Sequence, residues 1–272
     1  MQVLSPTTLD EALAMLSASP DPLTPVAGGT DLLVSWPHQI KDHWTLLDLS
    51  ALGRELQVLR WNDDGLEIGA LTTYWDVISS PPVVDAFPLL AQAARQVGAI
   101  QIQTRGTWAG NIANGSPAAD GVPVMMAYSA TVVLQSAAGV TEVPLDRYYT
   151  GYKQSVRRPD QLIRGIRLPR RARKAEWFHK VGARSAQAIS KLGVAAVCDD
   201  HGWRVVVNSV APTVRRCPAL EHALDRGMRF QSPDDVRRLL EVDIAPIDDL
   251  RSTARYRANV LSRLLYHWLA CR

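Results

Sequence analysis

Small residues, amides and hydroxyls are concentrated in one stretch of the chain, residues 104–120, which reads TRGTWAGNIANGSPAAD. Gly106, Ala109 and Gly110 allow the backbone to approach a ligand closely, and Pro117 restricts the backbone near the end of the stretch. Successive backbone N–H groups in such turns form a concavity that binds anions. The pattern therefore predicts a loop that holds phosphate groups.

A second loop has similar chemistry. Residues 27–31 read AGGTD and follow a short apolar segment. A glycine pair before Thr30 or Asp31 is, by itself, more typical of an ordinary turn. Two such loops in one chain favour a shared binding site for a ligand that carries phosphates.

Together the two loops resemble the FAD-binding subunit of the molybdenum hydroxylases, the family of xanthine dehydrogenase and carbon monoxide dehydrogenase. FAD contacts in that family read roughly AGGTD and T-I-G-G-N-I-x-x-x-S-P-x-x-D. The second pattern is matched at Thr107, Gly110, Asn111, Ile112, Ser116, Pro117 and Asp120. Trp108 and Ala109 stand where Ile and Gly are usual. Further similar strings at residues 180–190 and 247–257 extend the resemblance over nearly the whole chain.

The resemblance implies an α+β fold with two domains. Residues 1–170 would form a two-lobed FAD-binding domain of the PCMH/vanillyl-alcohol-oxidase-like type, with lobes at about 1–53 and 54–170. Residues 171–272 would form a smaller α+β domain of the CO dehydrogenase flavoprotein type, with a sheet covered by helices. The proline- and charge-rich stretch at 169–174 is suitable as a boundary between them.

The resemblance also implies which residues hold FAD. The pyrophosphate is assigned to Ala27, Gly28, Gly29, Thr30 and Asp31 together with Thr107, Trp108, Ala109, Gly110 and Asn111, with Ser116 close by. Asp120 would accept hydrogen bonds from hydroxyls of the ribityl chain, and Lys180 would lie near the pyrimidine end of the flavin. Val97 and Ile163 stand at positions of apolar cofactor contacts but suit an ordinary core equally well. For Trp108 two alternatives stay open: its indole stacks on the adenine or fills the core.

The implied function is that of an electron-transfer subunit. A large partner subunit would hydroxylate the substrate at a molybdenum cofactor, and [2Fe–2S] clusters on a small partner would deliver electrons to FAD in this chain for an external acceptor. A dimer of heterotrimers is expected. Noncovalent FAD is expected, because Thr30, rather than histidine, follows the paired glycines. The alternatives are a self-contained flavin oxidoreductase of the same fold that acts directly on a small organic substrate, and a nonenzymatic nucleotide-binding or scaffold protein.

Composition narrows the class of protein further. The three cysteines and six histidines show no metal-binding spacing, so we expect neither a metal site nor an iron–sulfur cluster within this chain. We also assign no catalytic residue to this chain. A net charge of +3 does not indicate nucleic-acid binding, and the basic segment 157–174 lacks stacking aromatics. With no long apolar run and no signal peptide, we expect a cytoplasmic protein without a membrane span.

The elements that position these residues can be predicted from periodicity and turn signals. Residues 56–61 and 66–71 flank the turn sequence NDDG and favour a hairpin. Residues 83–97 favour one helix that leads towards the predicted loop at 104–120. In the second half the pattern predicts strands at 177–181, 192–198 and 203–210, followed by helices at 218–225, 234–241 and 252–269.

Overall fold

The computed structural model describes residues 1–35 and 44–271. The first lobe is a small parallel sheet in the order β1-β3-β2 with one helix against it. Its elements are β1 (Gln2–Leu4), α1 (Leu9–Ala18), β2 (Thr24–Val26) and β3 (Thr45–Asp48). The hydroxyl of Thr8 accepts a hydrogen bond from the backbone of Glu11 and so begins α1, whose apolar face is buried.

The second lobe is built on an antiparallel sheet in the order β4-β5-β10-β6-β7, with short helices packed beside it. The elements in chain order are α2 (Gly53–Leu56), β4 (Leu59–Asn62), β5 (Gly65–Gly69), α3 (Tyr74–Ile78), α4 (Pro81–Ala86), α5 (Pro88–Ala94), α6 (Ile100–Gln103), α7 (Trp108–Asn114), α8 (Gly121–Ala127), β6 (Thr131–Ser136), β7 (Gly139–Pro144), β8 (Tyr149–Gly151), β9 (Gln154–Ser155) and β10 (Leu162–Pro169). The predicted hairpin is confirmed: β4 pairs with β5, and Gly65 has a φ of 152° at the turn.

Two predictions for this lobe were wrong. Residues 83–97 do not form one helix, because Pro88 begins a new helix after a break at Phe87. The stretch 104–120 is not a continuous loop, since its middle forms α7. Thr107 caps this helix by accepting a hydrogen bond from the N–H of Gly110 at 2.9 Å. The phosphate-binding pattern therefore lies partly at the start of a helix.

The C-terminal half forms an antiparallel sheet in the order β11-β12-β13-β14, covered on one face by helices. Its elements are β11 (Arg173–Val181), β12 (Leu192–Asp199), β13 (Gly202–Asn208), β14 (Arg215–Arg216), α9 (Pro218–Asp225), α10 (Pro233–Leu240) and α11 (Ala254–Ala270). The predicted strands and helices are confirmed with shifts of one or two residues at their ends, except that β11 begins at Arg173, four residues earlier than predicted, and the α+β class is confirmed with them.

The C-terminal sheet has two apolar faces. Residues such as Val194 and Val205 form a core with α9, α10 and α11. On the opposite face, Phe178, Ala195 and Val206 join the large core of the N-terminal half. This packing brings the carboxyl end of β11 and β13 next to the chain segment that precedes α8.

No helix within residues 1–35 and 44–271 is long and apolar enough to cross a membrane. Cys198, Cys217 and Cys271 are free thiols.

Candidate functional site

A cavity of about 1000 Å³ lies at the junction of the lobes and the C-terminal half. Its wall comes from residues 24–32 of the first lobe, from most of residues 106–120 and from 161–163 of the second, and from residues 187–189 and several positions between 245 and 257 of the C-terminal half, among others. The volume is at the upper end of the range for pockets that bind small ligands. Both predicted loops are therefore parts of one large site.

The two loops pack directly on each other. A Cβ added to Gly28 would lie 1.7 Å from the carbonyl oxygen of Arg105, and one added to Gly106 would lie 3.2 Å from Oγ1 of Thr30. Further along, Nδ2 of Asn114 donates to a carboxylate oxygen of Asp31 at 3.0 Å. The contact with Arg105 explains why glycine occupies position 28: a side chain there would clash with the backbone of the other loop.

Backbone donors in this wall are available to a ligand. Among the described residues, the N–H groups of residues 28–31 make no hydrogen bond, and the N–H of Ala109 at the start of α7 makes none. Gly29 has a φ of 70°, a left-handed conformation that glycine adopts without strain. Unbonded N–H groups and a helix start favour binding of anionic oxygen atoms such as those of a pyrophosphate.

Asp120 is the buried acidic group of the cavity, and both of its oxygens are already bonded. Nζ of Lys180 donates to Oδ2 at 2.6 Å, and Oγ of Ser190 donates to Oδ1 at 2.5 Å. Burial raises the pKa of the Asp120 carboxyl, while the charge of Lys180 and the hydrogen bonds act in the opposite direction. Each carboxylate oxygen has a second lone pair, so Asp120 can still accept a hydrogen bond from a ligand hydroxyl.

Most of the predicted site residues lie in the cavity wall. The residues of this group are Ala27, Gly28, Gly29, Thr30, Asp31, Val97, Thr107, Ala109, Gly110, Asn111, Ser116, Asp120 and Ile163. Two predicted residues lie outside it. Trp108 is fully buried and packs edge to face on Tyr74 at 5.0 Å between ring centroids, which is the core alternative. The ammonium of Lys180 is occupied by Asp120 and by the carbonyl oxygen of Gln96 at 2.7 Å.

Several cavity residues were missed by the sequence interpretation. At one end these are Tyr152, Arg157 and Gln161, which precede strand β10 in the chain and belong to no motif that the sequence analysis identified. At the other end Ser209, Asp249 and Arg257 contribute from the C-terminal half. Asp249 and Arg257 lie in strings that resemble the family, but no local pattern connected them with the cavity.

The residues present fit FAD. The cavity combines unbonded backbone donors for a pyrophosphate, a buried carboxylate for hydroxyl groups, and apolar side chains such as Val97 and Ile163 for a flat ring. Within residues 1–35 and 44–271, no group of three or more His, Cys, Asp or Glu side chains is arranged to hold a metal ion.

The fold and the cavity define a two-domain α+β protein that binds a phosphate-containing cofactor. Residues 1–171 match the family described as the FAD binding domain in molybdopterin dehydrogenase, and residues 177–271 match the CO dehydrogenase flavoprotein C-terminal domain. The chain therefore belongs to the FAD-binding subunits of the molybdopterin dehydrogenases. The family predicted from the two loops is confirmed, and the chain is an FAD-dependent oxidoreductase component.

Relatives cover almost the whole chain. The carbon monoxide dehydrogenase medium chain of Hydrogenophaga pseudoflava is 29% identical over 96% of this chain and 93% of its own length. The glyceraldehyde dehydrogenase medium chain of Sulfolobus acidocaldarius is 33% identical over 94% and 92%. A chain in the solved structure of H. pseudoflava carbon monoxide dehydrogenase lacking the Mo-pyranopterin moiety superimposes with a TM-score of 0.89, at 27% identity, over 98% of this chain and 95% of that one.

Proposed function

We propose that this chain is the electron-transfer subunit of a heteromeric molybdenum-containing hydroxylase or dehydrogenase. FAD bound in the cavity accepts electrons from [2Fe–2S] clusters of a small partner subunit and passes them to an external acceptor. A large partner subunit holds the molybdenum cofactor and carries out the reaction with the organic substrate. The observation that carries this proposal is the cavity between the domains, with its free backbone donors beside a buried carboxylate.

The residues of this chain have binding and orienting roles in the proposal. Residues 27–31 and 107–111 hold the pyrophosphate, with the unbonded backbone N–H groups of residues 28–31 and of Ala109 as donors, and Asp120 accepts hydrogen bonds from the ribityl chain. Val97 and Ile163 provide apolar contacts. FAD is held without a covalent bond, and no residue of this chain acts as an acid or base on the organic substrate. The cofactor supplies the redox chemistry, and the protein supplies position and electrostatics.

The partners are proposed from the relatives. Both relatives described above are named medium chains of dehydrogenases, which supports a complex with a large and a small subunit. We propose that the complex is a dimer of heterotrimers that works in the cytoplasm. The division of the chain near residue 170 into a FAD-binding domain and a C-terminal domain is part of the same proposal.

The test begins with a tagged chain purified from its source together with whatever subunits accompany it. After mild dissociation, FAD should remain with this chain and be released on denaturation, while molybdenum and iron should remain with the partners. The partner subunits are then reduced with limiting dithionite, freed of excess reductant, and mixed with the FAD-loaded chain. Rapid loss of flavin absorbance is the expected result.

Two outcomes would contradict the proposal. One is a flavin absorbance that does not change on mixing with the reduced partners. The other is steady oxidation of a panel of small alcohols, aldehydes and N-heterocycles by the isolated FAD-loaded chain. The second outcome would instead support a self-contained flavin oxidoreductase.

A further inference from the structure

The segment Ser116–Asp120, here called the bridging loop, is bonded from the opposite half of the molecule. The backbone N–H of Ser209 donates to the carbonyl oxygen of Pro117 at 2.7 Å, and Nδ2 of Asn208 donates to that of Ala119 at 2.9 Å. Asp120 accepts from Lys180 and Ser190, as described above. Thus elements of the C-terminal half bind three residues of a loop that lines the cavity.

We propose that the C-terminal sheet sets the conformation of the bridging loop, so that Lys180 and Asn208 are positioning residues for FAD. Neither side chain lies in the cavity wall. Both act on the cofactor through Ala119 and Asp120, which are part of the cavity wall. The inference rests on the proposed FAD site and assigns Lys180 a role different from direct contact with the flavin.

The bridging loop has few bonds of its own. Within the loop, the N–H of Ala118 donates to Oγ of Ser116 at 3.2 Å, and the N–H of Ala119 donates to the Ser116 carbonyl at 3.1 Å. Its backbone acceptors at Pro117 and Ala119 are bonded by the C-terminal half instead. A buried carbonyl that loses its partner costs free energy, so the loop geometry depends on these donors.

The donors are themselves held rigidly. Ser209 has a φ of 59°, a conformation uncommon for a residue other than glycine. Its hydroxyl donates to the Ser190 carbonyl at 3.2 Å, and its own carbonyl accepts from Arg257 at 2.5 Å. Such backbone strain persists only where surrounding bonds determine the conformation, and it is concentrated at functional sites.

The side chain of Asn208 packs against Gly193, which has no side chain of its own. The Asn208 side chain is fully buried, and Gly193 pairs with Asn208 across the strands β12 and β13. A Cβ added to Gly193 would lie 2.9 Å from Oδ1 of Asn208 and 3.1 Å from Nδ2. The glycine therefore permits the amide position from which Asn208 reaches Ala119.

The test measures FAD affinity by fluorescence titration of the full-length chain and its variants. Asn208→Ala and Lys180→Met remove one donor each. Each is expected to raise the Kd for FAD about tenfold or more, because a buried acceptor is left unpaired. The visible circular dichroism of the bound flavin should also change, since the loop presents the cofactor differently.

Matched controls separate positioning from general destabilisation. Val207→Ala lies next to Asn208 on β13 but packs in the core on the other face of the sheet. This change should lower the melting temperature of the apoprotein and leave the Kd for FAD near the wild-type value. Lys174→Met removes an exposed lysine from the same strand as Lys180 and should change neither quantity appreciably.

A further variant covers the case in which Asn208→Ala or Lys180→Met does not fold. Gly193→Ala deletes no donor but displaces the Asn208 amide, and it should also weaken FAD binding. The proposal is overturned if the folded variants bind FAD within twofold of the wild type, or if Val207→Ala weakens binding as much as they do. Because these titrations involve no electron transfer, a chain that binds FAD but fails to accept electrons from its partners rejects only the proposed relay.

Discussion

Gly28 lies against the backbone of Arg105 so closely that an added Cβ would be 1.7 Å from the Arg105 carbonyl oxygen. The glycine is therefore required by the contact between the two loops of the cavity wall, whatever the ligand. The sequence pattern assigned Gly28 to the cofactor site, but contact with a phosphate is not needed to explain why this residue is glycine.

Replacing Gly28 with alanine should separate the two loops. Because the clash is with backbone, no side-chain rotation can relieve it, and the loops must move apart. We expect a lower melting temperature and weaker FAD binding, measured by calorimetry and fluorescence titration. Gly53→Ala is the matched control: a Cβ there meets only a side-chain atom of Gln57 at 3.8 Å in a short helix, so stability should be unchanged or rise by roughly 0.5–1 kcal/mol. Equal effects of the two changes would contradict this interpretation.

Asp120→Asn should weaken FAD retention. The amide keeps the shape of the carboxylate but provides a weaker acceptor, and it leaves the ammonium of Lys180 without its countercharge. We expect loss of FAD during gel filtration and a Kd raised about tenfold, since hydrogen bonds to charged groups contribute roughly 1.5–3 kcal/mol. Asp160→Asn, which removes a carboxylate from an exposed ion pair with Arg158, serves as the control. An unchanged Kd for Asp120→Asn would remove this residue from the site.

Trp108 is predicted to act in folding only. Its indole is fully buried, and its Nε1 has no hydrogen-bond partner among the described residues. Trp108→Phe should therefore be tolerated with unchanged FAD affinity, whereas Trp108→Ala should lose about 3–5 kcal/mol of unfolding free energy. Urea unfolding and FAD titration of both variants provide the measurements. A selective loss of FAD affinity in Trp108→Phe would instead indicate stacking on the cofactor.

Asp199 should make stability depend on pH at the acidic end. Burial by itself would raise the pKa of this carboxyl, but hydrogen bonds from Arg204 and His201 and the charges of Arg204 and Arg171 outweigh burial and lower the pKa. A carboxyl with a lowered pKa in the folded state stabilises the fold fully above its unfolded pKa of about 3.9, and the stabilisation is lost as pH falls through the folded pKa.

The measurement is unfolding free energy across pH for the wild type and Asp199→Asn. At neutral pH the variant should be less stable by about 3–5 kcal/mol, because the buried guanidinium of Arg204 loses its partner. Below about pH 4 the two curves should converge as the wild-type carboxyl becomes protonated. Curves that stay parallel down to the lowest pH would show that the ionisation of Asp199 does not contribute.

Interactions that depend on residues close together in the chain were predictable from the sequence. The unbonded N–H groups of residues 28–31 arise from local backbone, so small residues at fixed spacing identify them. The same holds for the β4–β5 hairpin and its turn at Gly65. Helix α7 was missed, because glycine and asparagine within it suggested a loop and the energy that forms the helix comes from burial of Trp108 and Ile112.

The sequence by itself determined the family, the cofactor and the two glycine-containing loops that line the cavity, because these depend on short motifs whose chemistry is local. Only the tertiary structure decided that Lys180 bonds Asp120, sixty positions earlier in the chain, and that Asn208 reaches Ala119. Such pairs form because the C-terminal sheet packs on the N-terminal core. No local sequence pattern shows which side chains will face each other across that contact. The indole of Trp108 was assigned to the core for the same reason: burial is a property of all its neighbours together.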